Sequence, residues 1–123
     1  MSAGARLKTR LTTHAGTAAL VGTRVYPMKL PQNSTYPAIV YQRISGAERL
    51  GSTKLREARY QLSCWGATYA SGQALAAQVR DALEGWGVGG AVPMSRIVNE
   101  NDDYEPDDDV YRVILDAMLH LFE

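Results

Sequence analysis

Apolar and polar residues alternate along this chain with two different periods, and each change of period marks an element. In "EARYQLSCWG", residues 57–66, Ala58, Tyr60, Leu62 and Cys64 fall on one side and Arg59, Gln61, Ser63 and Trp65 on the other. A period of two predicts a strand with one buried face. "VYRVILDAMLHLFE" repeats the pattern: Tyr111, Val113, Leu115, Ala117, Leu119 and Leu121 are apolar, whereas the intervening positions include Arg112, Asp116 and His120. A helix would spread those polar residues around its circumference, so this segment also reads as a strand. "PAIVYQRIS", residues 37–45, is β-branched and aromatic between Pro37 and Gly46, and "MSRIVNE" reads as a weaker strand.

The helical period occurs twice. Leu7, Leu11, His14, Ala18 and Val21 recur at steps of three or four and form one amphipathic stripe, broken near Gly16 and stopped at Gly22. "ASGQALAAQVRDALEGW", residues 70–86, places Leu75, Val79, Ala82, Leu83 and Trp86 on one face. "RVYP" reads as a brief extended piece ending at Pro27, and "MKLPQNSTYP" as loop. The expected fold is α+β, in the order helix-strand-strand-helix-strand-strand. An antiparallel four-stranded sheet carries two main helices on one face, in a single domain spanning residues 1–123.

Composition narrows the class. The 123 residues suffice for one domain with a core, and no run of eighteen apolar residues suggests a membrane span. The first residues lack the apolar stretch of a signal peptide, so synthesis in the cytoplasm is expected. Cys64 is the only cysteine, which excludes an internal disulfide and a multi-cysteine zinc site. Its position in a strand is that of a small buried hydrophobe.

Net charge is zero but unevenly placed. Residues 1–60 carry ten basic side chains against two acids, and residues 61–123 carry three against eleven. Seven of those acids crowd into "NENDDYEPDDDVY", residues 99–111: Glu100, Asp102, Asp103, Glu105, Asp107, Asp108 and Asp109. An EF-hand beginning at Asp102 would need glycine at its sixth position, where Asp107 stands. Paired catalytic carboxylates need a cleft that raises one pKa, which an acid-rich turn in water does not provide. His14 and His120 have no nucleophile between them, and "GWGVGG" follows a helix where a phosphate loop would precede one. No catalytic residue, cofactor or metal site is therefore expected.

The basic loop Arg49, Lys54 and Arg56 could meet phosphates, but the neutral total and the lack of a recognition helix argue against specific nucleic-acid binding. Protein assembly explains more. A basic loop and an acidic loop on one small domain can form the two sides of a head-to-tail contact, and such contacts generate rings when the rotation closes. The candidate interface residues are Arg49, Lys54 and Arg56 on one side, and Asp102, Asp103, Glu105, Asp107, Asp108 and Asp109 on the other.

"GTRVYP", "YPAIVYQRISG", "RYQLSCWGATYASGQALAAQVRDAL" and "DDYEPDDDVYRVILDAMLHL", in that order and spacing, resemble the small tail-completion or tail-terminator proteins of long-tailed bacteriophages and prophages. The resemblance spans nearly the whole chain and implies a non-enzymatic virion protein at the head-proximal end of the tail. There it would form a homo-oligomeric ring, usually a hexamer, that caps the tail-tube protein and meets head-completion or connector proteins. It further implies that Arg24, Tyr26 and Pro27 close the first helical unit onto the sheet. Trp65 and Tyr69 would join the second strand to the second helix, and Tyr111 and Arg112 would begin the last strand. The runner-up is a head-completion or neck protein of the same particle. A metal- or nucleic-acid-binding accessory protein is the alternative from another class.

Overall fold

A computed structural model describes residues 3–46, 55–86 and 95–122. The elements are α1 (Ala3–Thr13), α2 (Ala15–Val21), β1 (Val25–Pro27), β2 (Ala38–Gly46), β3 (Leu55–Gly66), α3 (Tyr69–Leu83), β4 (Arg96–Glu105) and β5 (Val110–Phe122). They build a sheet of order β1-β2-β3-β5-β4, in which β1 runs parallel to β2 and every other pair is antiparallel. The expected antiparallel four-stranded sheet with two main helices is thus corrected to a five-stranded mixed sheet with three helices. The extra strand is the "VYP" piece. Three residues are too few to display a period, yet Val25, Tyr26 and Pro27 lie opposite Ile39, Val40 and Tyr41. Proline, which cannot donate to a ladder, is tolerated because β1 is an edge.

The first helical stripe divides at His14, two residues before the expected break. His14 has extended backbone (φ −68°, ψ 122°), and its Nδ1 accepts the Thr17 N–H at 3.3 Å, so it serves as the N-cap of α2. Its other ring nitrogen, Nε2, lies 3.0 Å from Asp81 Oδ2 on α3. His14 thus joins two helices. Gly22 ends α2 in the positive-φ conformation (59°) that favours glycine. Arg24 then closes this unit onto the sheet, Nε donating to Pro37 O and Nη2 to Leu20 O, each at 3.0 Å.

The core lies on one face of the sheet. The alternation in β3 and β5 appears directly in their burial: Leu62 stands opposite Leu115, Cys64 opposite Val113 and Tyr60 opposite Ala117, all nearly inaccessible to water. Leu75, Ala76, Val79, Ala82 and Leu83 of α3 cover that layer, joined by Leu7 and Leu11 from α1 and Val21 from α2. Each fully buried leucine contributes roughly 1.5–3 kcal/mol relative to an exposed one. α3 begins in a capping box: Thr68 Oγ1 accepts the Ser71 N–H, and Ser71 Oγ accepts the Thr68 N–H, both at 3.1 Å. It ends at Leu83, three residues before the expected Trp86, which packs half-buried against the core.

Among the described residues, no helix lies on the opposite face. There, the segment after β1 folds back over the strands, with the Met28 N–H donating to Tyr41 O at 2.9 Å. A hollow of about 230 Å³ remains beneath it, between Met28, Leu30, Val40, Trp65 and Arg112.

The junction of β3 and α3 requires a glycine. A Cβ at Gly66 would stand 2.4 Å from Gly72 N and 2.8 Å from Gly72 Cα, which are backbone atoms without rotamer freedom. Gly66→Ala should therefore lower stability by about 1–3 kcal/mol, the ordinary cost of overpacking. Urea denaturation beside wild type checks this, and an unchanged midpoint would contradict the close approach. Burial, with a smaller contribution from the Glu100 charge, pushes the Cys64 thiol pKa well up. Folded protein at pH 8 should leave Cys64 unlabelled by an aromatic disulfide reagent, and full labelling should follow denaturation.

Candidate assembly surface

The acidic segment is not a loop. Residues up to Glu105 belong to β4, an edge strand paired along its length with β5, and only residues 106–109 form the turn. Because β5 buries its odd positions, its register decides which way the acids point. Glu100, Asp102 and Tyr104 lie opposite Leu115, Val113 and Tyr111, on the side that α3 covers. A stripe of α3 meets them. Arg80 forms an ion pair with Glu100. Tyr69 Oη donates to Asp102 Oδ2 at 3.1 Å, and Gln73 Nε2 donates to Asp102 Oδ1 at 2.8 Å. Glu84, just beyond the helix, accepts the Ile97 N–H at 3.0 Å.

On the other side of β4, Asp103 lies opposite Arg112 and takes its guanidinium, which stacks over the Trp65 ring at 4.9 Å from the centroid. Arg59 and Asp116 form a second pair on that face at 3.0 Å. In the turn, Glu105 Oε1 accepts the Asp107 N–H at 3.1 Å. Tyr104 Oη donates to Asp109 Oδ1 at 2.8 Å, and Asp109 itself adopts positive φ (51°). The side chains of Asp107 and Asp108 alone among the seven acids have no partner within the described residues.

Three tyrosines gather where β4, β5 and α3 meet. The Tyr69 and Tyr111 rings pack edge to face with centroids 6.2 Å apart, and Tyr104 leans on Tyr111 at 5.0 Å. With Asp102 and Asp103 they line a shallow groove of about 410 Å³. The hydrogen bond to Asp102, reinforced by its charge, holds the Tyr69 phenol above its ordinary pKa. Tyr104 is raised in the same way, first by its bond to Asp109. The Asp103 carboxyl is lowered by its bond to Arg112 and then by the backbone N–H of Tyr104. All three shifts describe one place, rich in carboxylate charge and exposed aromatic surface.

The candidate basic residues do not join it. Arg49 and Lys54 lie outside the described residues, and Arg56 stands in β3 opposite Leu121, at the far end of β5 from the acidic turn. Asp102 and Asp103 lie close to that turn but on opposite faces of β4. Two further cations lie partway along the sheet, on opposite faces: Arg43 on β2 opposite the buried Tyr60, and Arg96, the first residue of β4, opposite Met118. Both are exposed and lack ion-pair partners among the described residues. Sequence reasoning passed over them because isolated arginines at strand positions look like ordinary solvated residues. It passed over Tyr69, Tyr104 and Tyr111 as a group because only the pairing of β4 with β5 brings them together. Among the described residues, no three histidine, cysteine, aspartate or glutamate side chains gather as they would around a metal ion.

Comparison with known proteins gives this arrangement a context. A structure described as the virion of a native gene transfer agent particle contains a chain of the same fold. The TM-score is 0.71 at 21% identity, with 99% of this chain and 96% of that chain covered. A search of curated proteins found no match. Residues 5–119 match the family described as Tail completion protein gp17. The chain therefore belongs to the tail completion protein family, structural components of bacteriophage virions.

Proposed function

We propose that this protein closes the head-proximal end of a phage tail as a ring of identical subunits, a hexamer by family resemblance. The ring stops tube polymerisation and offers its other side to the head-completion proteins. The observation that carries this reading is the family match, which extends over residues 5–119 and so leaves little of the chain for another role. On this reading the protein binds and positions other virion proteins and catalyses nothing.

The placement of spare charge supports a ring. Among the described residues, the acids without partners, Asp107 and Asp108, lie in the β4–β5 turn, whereas Arg43 and Arg96, exposed and without ion-pair partners, lie about 20 Å away along the strands. Opposite charges at separate places favour a head-to-tail contact, since like patches repel. Residues 46–56, which connect β2 to β3, and residues 100–109 are then the segments that meet neighbours, either adjacent subunits or the rings above and below.

Deletion of the gene should yield tails of uncontrolled length that fail to join heads, visible by negative-stain electron microscopy. Normal tail lengths would contradict capping, and normal tails that fail only at joining would place the protein at the neck instead. Replacing Asp107, Asp108 and Asp109 with lysine should weaken tail completion while leaving thermal unfolding within a few degrees of wild type. The difference between variant and wild type should shrink as salt is added, since the screening length falls to about 10 Å near 0.1 M.

A further inference from the structure

The tyrosine groove is the most specific feature on this surface, and the function proposed above does not by itself assign it a role. Tyr69 and Tyr104 are 55% and 45% exposed, so large aromatic rings face water beside two carboxylates. Tyrosine commonly anchors protein interfaces because it offers wide contact area with only two side-chain torsions to fix. The rings are already oriented. Tyr111 packs against both neighbours, and the hydroxyls of Tyr69 and Tyr104 are held by Asp102 and Asp109. Binding there costs little side-chain ordering.

The chemistry of the groove selects its occupant. Aromatic faces attract a guanidinium through the ring quadrupole, and nearby carboxylates add charge-assisted hydrogen bonds. An arginine fits both, and among the described residues two exposed arginines have no ion-pair partner, Arg43 and Arg96. They cannot reach the groove of their own subunit. Across the sheet Arg43 stands level with Ala117 and Arg96 with Met118, six and seven positions along β5 from Tyr111, a span of about 20 Å. The bound arginine must come from another molecule, and every copy of this chain carries both halves of the contact.

We infer that the Tyr69–Tyr104–Tyr111 groove receives an arginine of a second copy, Arg43 or Arg96 of one subunit lying over the rings and carboxylates of the next. The contact is heterologous: groove and arginines lie at different places on each copy, so each subunit uses both, once toward each neighbour. This deepens the ring proposed above and rests on it. It also changes which acids matter, because the anchor is the groove, with Asp102 and Asp103 setting its charge, and the exposed turn lies beside it.

Two variants test the contact. Tyr69→Ala with Tyr104→Ala removes the groove and keeps the arginines, whereas Arg43→Glu with Arg96→Glu does the reverse. All four side chains are exposed, so both variants should retain the wild-type circular dichroism. Sedimentation velocity should find wild type in closed rings at concentrations approaching about 1 mM. Each variant alone should need at least about tenfold more protein for equal association. Tyr69→Phe with Tyr104→Phe, which keeps the ring faces, should associate within about fivefold of wild type.

Mixing supplies the decisive arm. The arginines of the first variant still fit the groove of the second, so the mixture should give 1:1 pairs that extend no further. Rings from either variant alone at wild-type concentrations, or no pairing on mixing, would overturn the assignment. A wild-type chain that stays monomeric throughout would overturn it as well. The capping role is judged separately by tail length in the gene deletion, so a failure of the contact and a failure of that role are distinguishable.

Discussion

Burial of one sheet face beneath α3 is the constraint from which the rest of the molecule follows. The layer formed by Leu62, Cys64, Val113, Leu115 and Ala117 can meet the helix only if β3 and β5 keep a strict in–out alternation over most of their lengths. A slip of one residue would turn the entire apolar set toward water. Through its pairing with β5, the same alternation decides the orientation of β4, whose apolar residues are only Ile97, Val98 and Tyr104. Glu100 and Asp102 face α3 because Leu115 and Val113 do, and α3 answers them with Arg80, Tyr69 and Gln73. A hydrophobic requirement in the middle of the sheet thus fixes a polar surface at its edge.

That dependence explains what was legible in the sequence. β3, β5 and α3 could be read because their apolar positions recur with a clear period, and the structure buries those positions. β1 could not, because three residues display no period and their pairing with β2 is a tertiary event. β4 was read short for a different reason. Asp, Asn and Glu are poor strand formers, and their cost here is met by cross-strand partners and by α3. Nothing local in "NENDDYEP" announces that Asp103 will face Arg112, or that Asp102 will meet a helix some thirty residues earlier. The acidic segment was expected to act as a contact surface as a whole, but its members divide. Most are engaged within the subunit, and Asp107 and Asp108 remain unpaired.

The same reasoning relocates the basic side of the proposed contact. Residues 49–56 drew attention through charge density, whereas Arg43 and Arg96 acquire meaning only through the register, which sets both about 20 Å along the strands from the tyrosine groove. The same register brings the acidic turn and the groove together at one end of β4 and β5. In the proposed ring, each subunit then meets its two neighbours through different surfaces.

The most direct measurement is a cryo-electron microscopy reconstruction of the tail at its head-proximal end. The account predicts one closed ring of this protein there, with Arg43 or Arg96 of each subunit seated against Tyr69, Tyr104 and Tyr111 of its neighbour. Subunits scattered along the tube, or a ring whose contacts leave that groove open to solvent, would contradict it.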